Sequence, residues 1–291
     1  MRRRGVRAVG VGTAAVLVLL AGACSKKAGE RTVVTVPTST STTTVARPAG
    51  YVALGDSYTA GGGAPPYDVD GTCGVSSKGY PYAVAAADAH VHLVTVLACG
   101  GARAAPLPGA SARLSLLTQL PTTPDPTVGL VTFTAGGNDT TLPEAVAACA
   151  TLDCSGVPGA ADTRSQLAKL TDTLATKVYP ALRAAYPKAR LVQVGYPLLF
   201  STRLGETCGW LAPEEELVPN EIVTALDAAL SAAASRSGQV DYLDVSTVLK
   251  GHELCTTEPW ANDITAGVDA LHPTAAGYLA IGRAVAADLQ R

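Results

Sequence analysis

The chain has 291 residues, 47% of them hydrophobic and 16% charged, which suits one globular domain with a sizeable core. Its formal net charge of −2 gives no electrostatic basis for holding nucleic acid, so we expect no nucleic-acid partner. The sequence contains neither a P-loop pattern nor an H-E-x-x-H pattern, and we expect no metal and no cofactor.

Residues 1–23 predict a signal peptide for export. An arginine-rich start precedes the apolar run Val9–Leu20, which is too short to span a bilayer. Ala21 and Ala23 fit a cleavage site, and Cys24 resembles the lipidated cysteine of bacterial lipoproteins, although that motif usually has leucine in place of Ala21. We therefore expect a lipoprotein on the outer face of the cytoplasmic membrane, the alternative being free secretion after cleavage at Ala23.

Residues 24–48 predict a flexible linker behind this anchor. They are rich in Thr and Ser, include the run Pro37–Thr44, and show no helical period. A coil of this length reaches roughly 25–30 Å. The remaining residues, 49–291, are predicted to form the globular domain, standing just clear of a membrane surface.

In the globular domain, short apolar segments alternate with helical ones. Segments without polar alternation predict strands buried on both faces, over Tyr51–Leu54, Leu93–Leu97, Leu130–Phe133, Leu191–Val194 and Val240–Leu243. Helices are predicted over Tyr82–Ala89, Ala110–Leu120, Leu142–Ala150, Thr163–Ala185 with a kink at Pro180, Pro219–Ser235 and Pro273–Leu289. Such alternation predicts a three-layer α/β/α sandwich with a central, mostly parallel five-stranded sheet.

Turn-forming and polar residues follow the first three predicted strands. They are Gly55-Asp56-Ser57, Cys99-Gly100-Gly101-Ala102 and Gly136-Gly137-Asn138-Asp139. Because ligands bind beyond the carboxyl ends of parallel strands, all three segments are expected at one rim. Ser57 is there either as part of a tight turn or as a nucleophile.

A histidine precedes the last predicted helix, in Asp269-Ala270-Leu271-His272-Pro273. Proline favours the first position of a helix and keeps the residue before it extended, so the ring of His272 is free to point outward. Asp269 can reach the same side in a turn and accept a hydrogen bond from Nδ1. His252 is the rival base, but it lacks this surrounding pattern.

Gly55-Asp56-Ser57, Gly101, Asn138 in G-G-N-D and Asp269-x-x-His272 resemble the four sequence blocks of the SGNH (GDSL-type) hydrolase family. They occur in the family's order and are spread over the whole globular domain. The first block is GDSY rather than GDSL, a departure shared with the secreted bacterial branch that has paired cysteines. The resemblance implies a flavodoxin-like α/β fold and an esterase or lipase that acts through an acyl-enzyme.

The resemblance also implies a role for each block. Ser57 is the nucleophile, His272 the general base and then the general acid, and Asp269 holds the orientation and tautomer of the ring. The backbone N–H groups of Ser57 and Gly101 and the side-chain amide of Asn138 form the oxyanion hole. With an ordinary histidine pKa, activity is expected to rise through about pH 6–7.

We also expect roles for residues next to these blocks. Gly100 remains an alternative oxyanion donor to Gly101, and Asp56 is expected to be a structural hydrogen-bonding residue. The loop Ala60–Gly71 is expected to form part of the substrate wall, and Trp260 to cover the acyl or leaving group. For both, ordinary loop packing is the alternative.

The seven cysteines agree with one lipidated residue and three disulfides. Six cysteines remain when Cys24 is set aside, and among their possible pairings the simplest is sequential: Cys73–Cys99, Cys149–Cys154 and Cys208–Cys255. The alternative of half a zinc site at the second pair is disfavoured because the sequence has no partner pair at ligand spacing.

Two functions of different class remain open. The favoured one is a monomeric ester hydrolase, or a transacylase using the same serine, acting on a lipid, an acylated glycan or a small ester. The alternative is a lipid-anchored envelope binding protein that retains the scaffold without turnover. Because degenerate scaffolds usually lose the base or an oxyanion donor, and all five site residues are present, the enzyme is favoured.

Overall fold

The computed structural model describes residues 49–109, 113–140, 160–201, 208 and 217–291. The predicted signal peptide, Cys24, the linker and the predicted helix Leu142–Ala150 lie outside these residues, as does the pair Cys149 and Cys154. In the described part of the chain, every helix is too short or too polar to cross a bilayer.

Five parallel strands form the central sheet: β1 Ala49–Gly55, β2 Val91–Val96, β3 Val128–Thr134, β4 Arg190–Val194 and β5 Asp241–Leu243. Their spatial order is β2-β1-β3-β4-β5, and each neighbouring pair is parallel. All five predicted strands are present, and the predicted α/β class is confirmed.

The sheet is covered on both faces, which explains the uninterrupted apolar runs of its central strands. Along β1, Val52 and Leu54 belong to one buried cluster. Tyr51 and Ala53 belong to a second buried cluster on the other side. Because successive side chains of a strand point to opposite faces, one short segment contributes to both halves of the core.

Six α-helices surround the sheet in the described residues: α1 Ser57–Ala60, α2 Tyr80–Ala87, α3 Ala160–Thr173, α4 Tyr179–Ala185, α5 Leu217–Ser237 and α6 Ala275–Leu289. A π-helical turn, Leu174–Val178, joins α3 to α4. Pro180 is the second residue after this turn, where the sequence predicted a kink. Proline has no backbone N–H to give to the preceding turn, which fits a local change in the hydrogen-bond pattern.

The helix predicted over Ala110–Leu120 is wrong for its described part. Only Leu117–Gln119 is helical, as a single 3₁₀ turn. Arg113 has a φ of 73°, outside the helical region, and its guanidinium donates to Asp70 and to the carbonyls at the end of β2. Tertiary contacts therefore override the local preference for helix.

Two of the predicted disulfides are present, Cys73–Cys99 and Cys208–Cys255. The first joins the loop after α1 to the end of β2. The carbonyl of Cys73 also accepts a hydrogen bond from the Gly100 N–H at 2.9 Å. This disulfide therefore anchors the Gly100 turn that reaches the rim of the sheet.

We expect the double variant C73S/C99S to lose about 3 kcal/mol in free energy of unfolding, because the disulfide closes a chain segment with a sequence separation of 26. That loss corresponds to a fall in Tm of about 6–12 °C for a domain of this size. Thermal unfolding followed by circular dichroism on oxidised protein measures it. An unchanged Tm would show that the bridge does not stabilise the domain.

Candidate active site

Ser57 lies partly exposed at the rim because the chain turns sharply at the end of β1. Gly55 has a φ of 122°, and a Cβ built there would lie 2.1 Å from the carbonyl oxygen of Thr134 in β3. Only glycine fits this close approach. The side chain of Gln119 accepts from the Gly55 N–H at 2.7 Å and donates to its carbonyl at 2.8 Å. This buried clamp was not predicted from the sequence.

Asp56 caps the short helix α1 that begins at Ser57. Its buried carboxylate accepts hydrogen bonds from the Tyr58 N–H at 2.9 Å, the Thr134 hydroxyl at 2.6 Å and the Tyr196 hydroxyl at 2.5 Å. Burial raises the pKa of Asp56 above its ordinary value, although all three bonds oppose the shift. The contacts agree with the predicted structural role.

His272 lies against Ser57. Its Nε2 is 2.8 Å from the Ser57 Oγ, and its Nδ1 is 2.9 Å from the carbonyl oxygen of Ala270. A carbonyl can only accept, so Nδ1 carries the proton. Nε2 is then the acceptor for the serine hydroxyl, the arrangement that a general base requires.

The backbone around His272 is held from two directions. Asn262 exchanges backbone hydrogen bonds with Leu271 and His272, and its side chain donates to the carbonyls of His272 and Gly63 at 3.0 and 2.8 Å. A Cβ at Gly63 would lie 2.6 Å from the His272 Cβ. Loop Ala60–Gly71 therefore packs behind the histidine, and none of its residues lines the Ser57 pocket, which favours the loop-packing alternative over the substrate wall.

The predicted hydrogen bond between Asp269 and His272 does not form. The Asp269 carboxylate instead accepts a hydrogen bond from the Tyr67 hydroxyl, which in turn accepts from the Gly63 N–H at 3.0 Å. The 3₁₀ segment Ile264–Asp269 ends just before the histidine, and the Ala270 carbonyl takes the position at Nδ1. The Asp269 carboxylate therefore makes no hydrogen bond to the ring, although its charge raises the pKa of His272.

The pKa of His272 is lowered from its ordinary value, chiefly because the ring is buried. The Ala270 carbonyl and the charges of Asp56 and Asp269 oppose this shift. Burial nevertheless has the larger effect, so the imidazole stays neutral and able to accept a proton at neutral pH.

Ser57, His272, Gly101 and Asn138 line one pocket of about 450 Å³, although they are far apart in the sequence. Gly100 also lines it, but its N–H already donates to the Cys73 carbonyl, which favours Gly101 as an oxyanion donor. The Asn138 amide donates to the Ala102 carbonyl at 2.9 Å. An amide nitrogen carries two N–H groups, and this bond fixes its orientation with one of them.

Trp260 does not line this pocket, which favours ordinary loop packing over a cover for the substrate. Its ring stacks on His252 with centroids 3.6 Å apart and planes at 3°. The His252 Nδ1 lies 2.8 Å from the Glu258 carbonyl oxygen. His252, the rival base, thus makes contacts elsewhere. Of the two candidate bases, His272 is the one beside Ser57.

The sequence of this chain is similar to those of known proteins. The GDSL-like Lipase/Acylhydrolase family matches residues 53–280. Lipase 1 of Streptomyces coelicolor is 35% identical over 251 residues, covering 82% of this chain and 87% of that protein. A Streptomyces rimosus lipase is 32% identical over 231 residues, covering 78% and 81%.

Solved structures of two Streptomyces enzymes have a similar fold. The crystal structure of the extracellular lipase from Streptomyces rimosus superposes with a TM-score of 0.61 at 27% identity, covering 84% of this chain and 100% of that one. Phospholipase A1 from Streptomyces albidoflavus NA297 gives a TM-score of 0.60 with the same identity and coverage.

The acidic limb of the pH profile tests the environment of His272. On the hypothesis that the neutral His272 ring is the base, kcat/KM should be constant above about pH 7 and fall with a midpoint below 6.5, because the pKa of the ring is lowered from 6.5. This is lower than the rise that the sequence alone predicted. Initial rates in buffers of constant ionic strength give the midpoint, and one above 6.5 would contradict the burial argument.

The variant D269N tests whether a carboxylate orients the ring. Replacing the orienting aspartate of a Ser-His-Asp triad lowers kcat by about 10⁴-fold. Here the Ala270 carbonyl holds Nδ1, so we expect a loss of about tenfold or less from the missing charge alone. The measurement is kcat on p-nitrophenyl acetate. A loss near 10⁴-fold would mean that Asp269 moves onto Nδ1 during turnover.

Proposed function

The chain belongs to the GDSL-like lipase/acylhydrolase family and hydrolyses carboxylic esters, and from this premise we propose that Ser57 is its nucleophile and His272 its base. The observation that carries the proposal is the 2.8 Å contact between the Ser57 Oγ and the His272 Nε2, with the Nδ1 proton directed to a backbone carbonyl. Activation by an adjacent, oriented base is what a serine nucleophile requires.

Hydrolysis proceeds in two halves. The Ser57 Oγ attacks the ester carbonyl while its proton passes to the His272 Nε2, and the carbonyl oxygen becomes an oxyanion. The imidazolium then gives that proton to the leaving alcohol, the bond to the alcohol breaks, and an acyl-enzyme remains. In the second half, water loses a proton to Nε2 and attacks the acyl carbon. The carboxylic acid leaves as Ser57 regains its proton.

The oxyanion is stabilised by the N–H groups of Ser57 and Gly101 and by the Asn138 amide. All three residues line the pocket, and these donors belong to turns that the fold already holds in place. Preorganised donors cost no rearrangement during the reaction, which is why each is worth about 10²–10³ in rate.

The imidazolium formed during the reaction is stabilised by two features. The Ala270 carbonyl accepts its Nδ1 proton, and the negative charges of Asp56 and Asp269 favour the protonated ring. In this proposal Asp269 assists by charge and by its link through Tyr67 to the loop behind the histidine. The ring is therefore oriented mainly by backbone.

The disulfides Cys73–Cys99 and Cys208–Cys255 are typical of an exported protein, since such bridges persist in oxidising compartments. The finer arrangement is part of the proposal: cleavage after residue 23, a lipid on Cys24, the linker to residue 48 and the catalytic domain from residue 49 to 291. This arrangement would hold the enzyme at a membrane surface, where a lipid or an acylated envelope glycan is within reach.

Turnover of p-nitrophenyl esters from acetate to palmitate by oxidised protein tests the function. We expect S57A to abolish turnover and labelling by a fluorophosphonate, because both need the serine oxygen. N138A should retain labelling but lose about 10²–10³ in kcat. Thermal unfolding of each variant serves as the folding control. Turnover that persists in S57A would exclude this serine, and an inert, unlabelled wild type would favour the binding-protein alternative.

A further inference from the structure

Apart from Asp56, Ser57 and His272, the pocket at Ser57 is lined chiefly by two chemically unlike sets of residues. Gly100, Gly101 and Asn138, from the turns after β2 and β3, offer backbone and amide N–H groups. The other set comes from the chain after β1 and β4 and from the segment before α6, and it is apolar: Tyr58, Tyr196, Leu199, Val268 and Leu271. Both tyrosine hydroxyls donate to groups within the protein, so the rings are what these residues offer a ligand.

The proposed mechanism, on which this inference rests, assigns three of the four positions around the reacting carbon. The Ser57 Oγ occupies one, and the oxyanion takes the N–H donors. The leaving oxygen must lie within reach of the His272 Nε2 to receive its proton. The acyl chain takes the fourth position, and the lining residues that remain for it are the apolar set.

Within the apolar set, burial differs sharply. Leu199 and Leu271 are buried in the fold, whereas Val268 is 92% exposed. The segment that carries it, Ile264–Asp269, contains no buried residue. Packing therefore does not require an apolar side chain at this position. A single exposed valine is ordinary on a protein surface, but this one lines the same pocket as Ser57 and the buried Leu199 and Leu271.

We propose that Val268 is a specificity-determining residue that contacts the outer methylene groups of the acyl chain. Leu199 and Leu271 cover the carbons next to the carbonyl, and Val268 covers those that follow as the chain leaves a pocket of about 450 Å³. Each methylene group moved from water to apolar surroundings favours binding by about fourfold. Chains long enough to reach Val268 gain from this contact, and shorter ones do not.

The test compares kcat/KM for p-nitrophenyl octanoate with kcat/KM for p-nitrophenyl acetate, below the concentration at which the octanoate aggregates. In V268S, the octanoate-to-acetate ratio should fall about fivefold, because the side chain loses apolar contact with one or two methylene groups. V268L should restore or raise the ratio. V94S is the matched control, since Val94 is 58% exposed on β2 and does not line the pocket, and its ratio should equal that of the wild type.

A second substrate series separates the acyl side from the alcohol side. With acetyl fixed and the alcohol lengthened from butyl to octyl, V268S should show the same length dependence as the wild type. An effect confined to this series, or an unchanged ratio in the acyl series, would overturn the proposal. Neither result bears on the proposal that Ser57 is the nucleophile. That proposal is tested by turnover of p-nitrophenyl acetate by the wild type and its loss in S57A.

Discussion

The arrangement of the site depends on the hydrogen bonds accepted by the buried carboxylate of Asp56. It joins the first turn of α1, the end of β3 and the Tyr196 hydroxyl beyond β4, and so connects three strand ends. The Tyr196 hydroxyl also accepts a hydrogen bond of 3.1 Å from the N–H of Gly137, the residue before Asn138. A buried charge is tolerated only when its hydrogen bonds are satisfied, so the strand ends cannot separate without leaving this carboxylate unpaired.

A second buried carboxylate supports the same tyrosine. Asp227 in α5 accepts the Tyr196 backbone N–H at 3.0 Å, and burial raises its pKa to about 7. The rim of the sheet is therefore held by a buried polar network as well as by apolar packing. Such a network fixes positions more sharply than apolar packing does, because each bond has a preferred length and direction. That rigidity is what an oxyanion hole requires.

His272 is positioned by a different means. Its ring is oriented by a backbone carbonyl, and its main chain is held by Asn262 and the glycine-rich loop behind it. The acid that sequence spacing assigned to the ring lies instead against Tyr67. Serine and base are thus brought together by two supports, one built on the strand ends and one on the loop before α6. The Tyr58 hydroxyl links the two by donating to the Leu271 carbonyl at 2.8 Å.

The sequence alone determined which segments form strands and which strand ends carry the candidate site. It has apolar runs long enough for five buried strands, with small and polar residues after each of the first three. These features are local, since burial on both faces and tight turns restrict residue type position by position. The sequence alone did not predict which side chains from distant segments contact each other. The Gln119 clamp, the role of Asn262, the stacking of Trp260 on His252 and the Ala270 contact at Nδ1 depend on which loops meet. Only the tertiary structure decides this, because a side chain's hydrogen-bond partner is the nearest group left available when the strands and helices have packed.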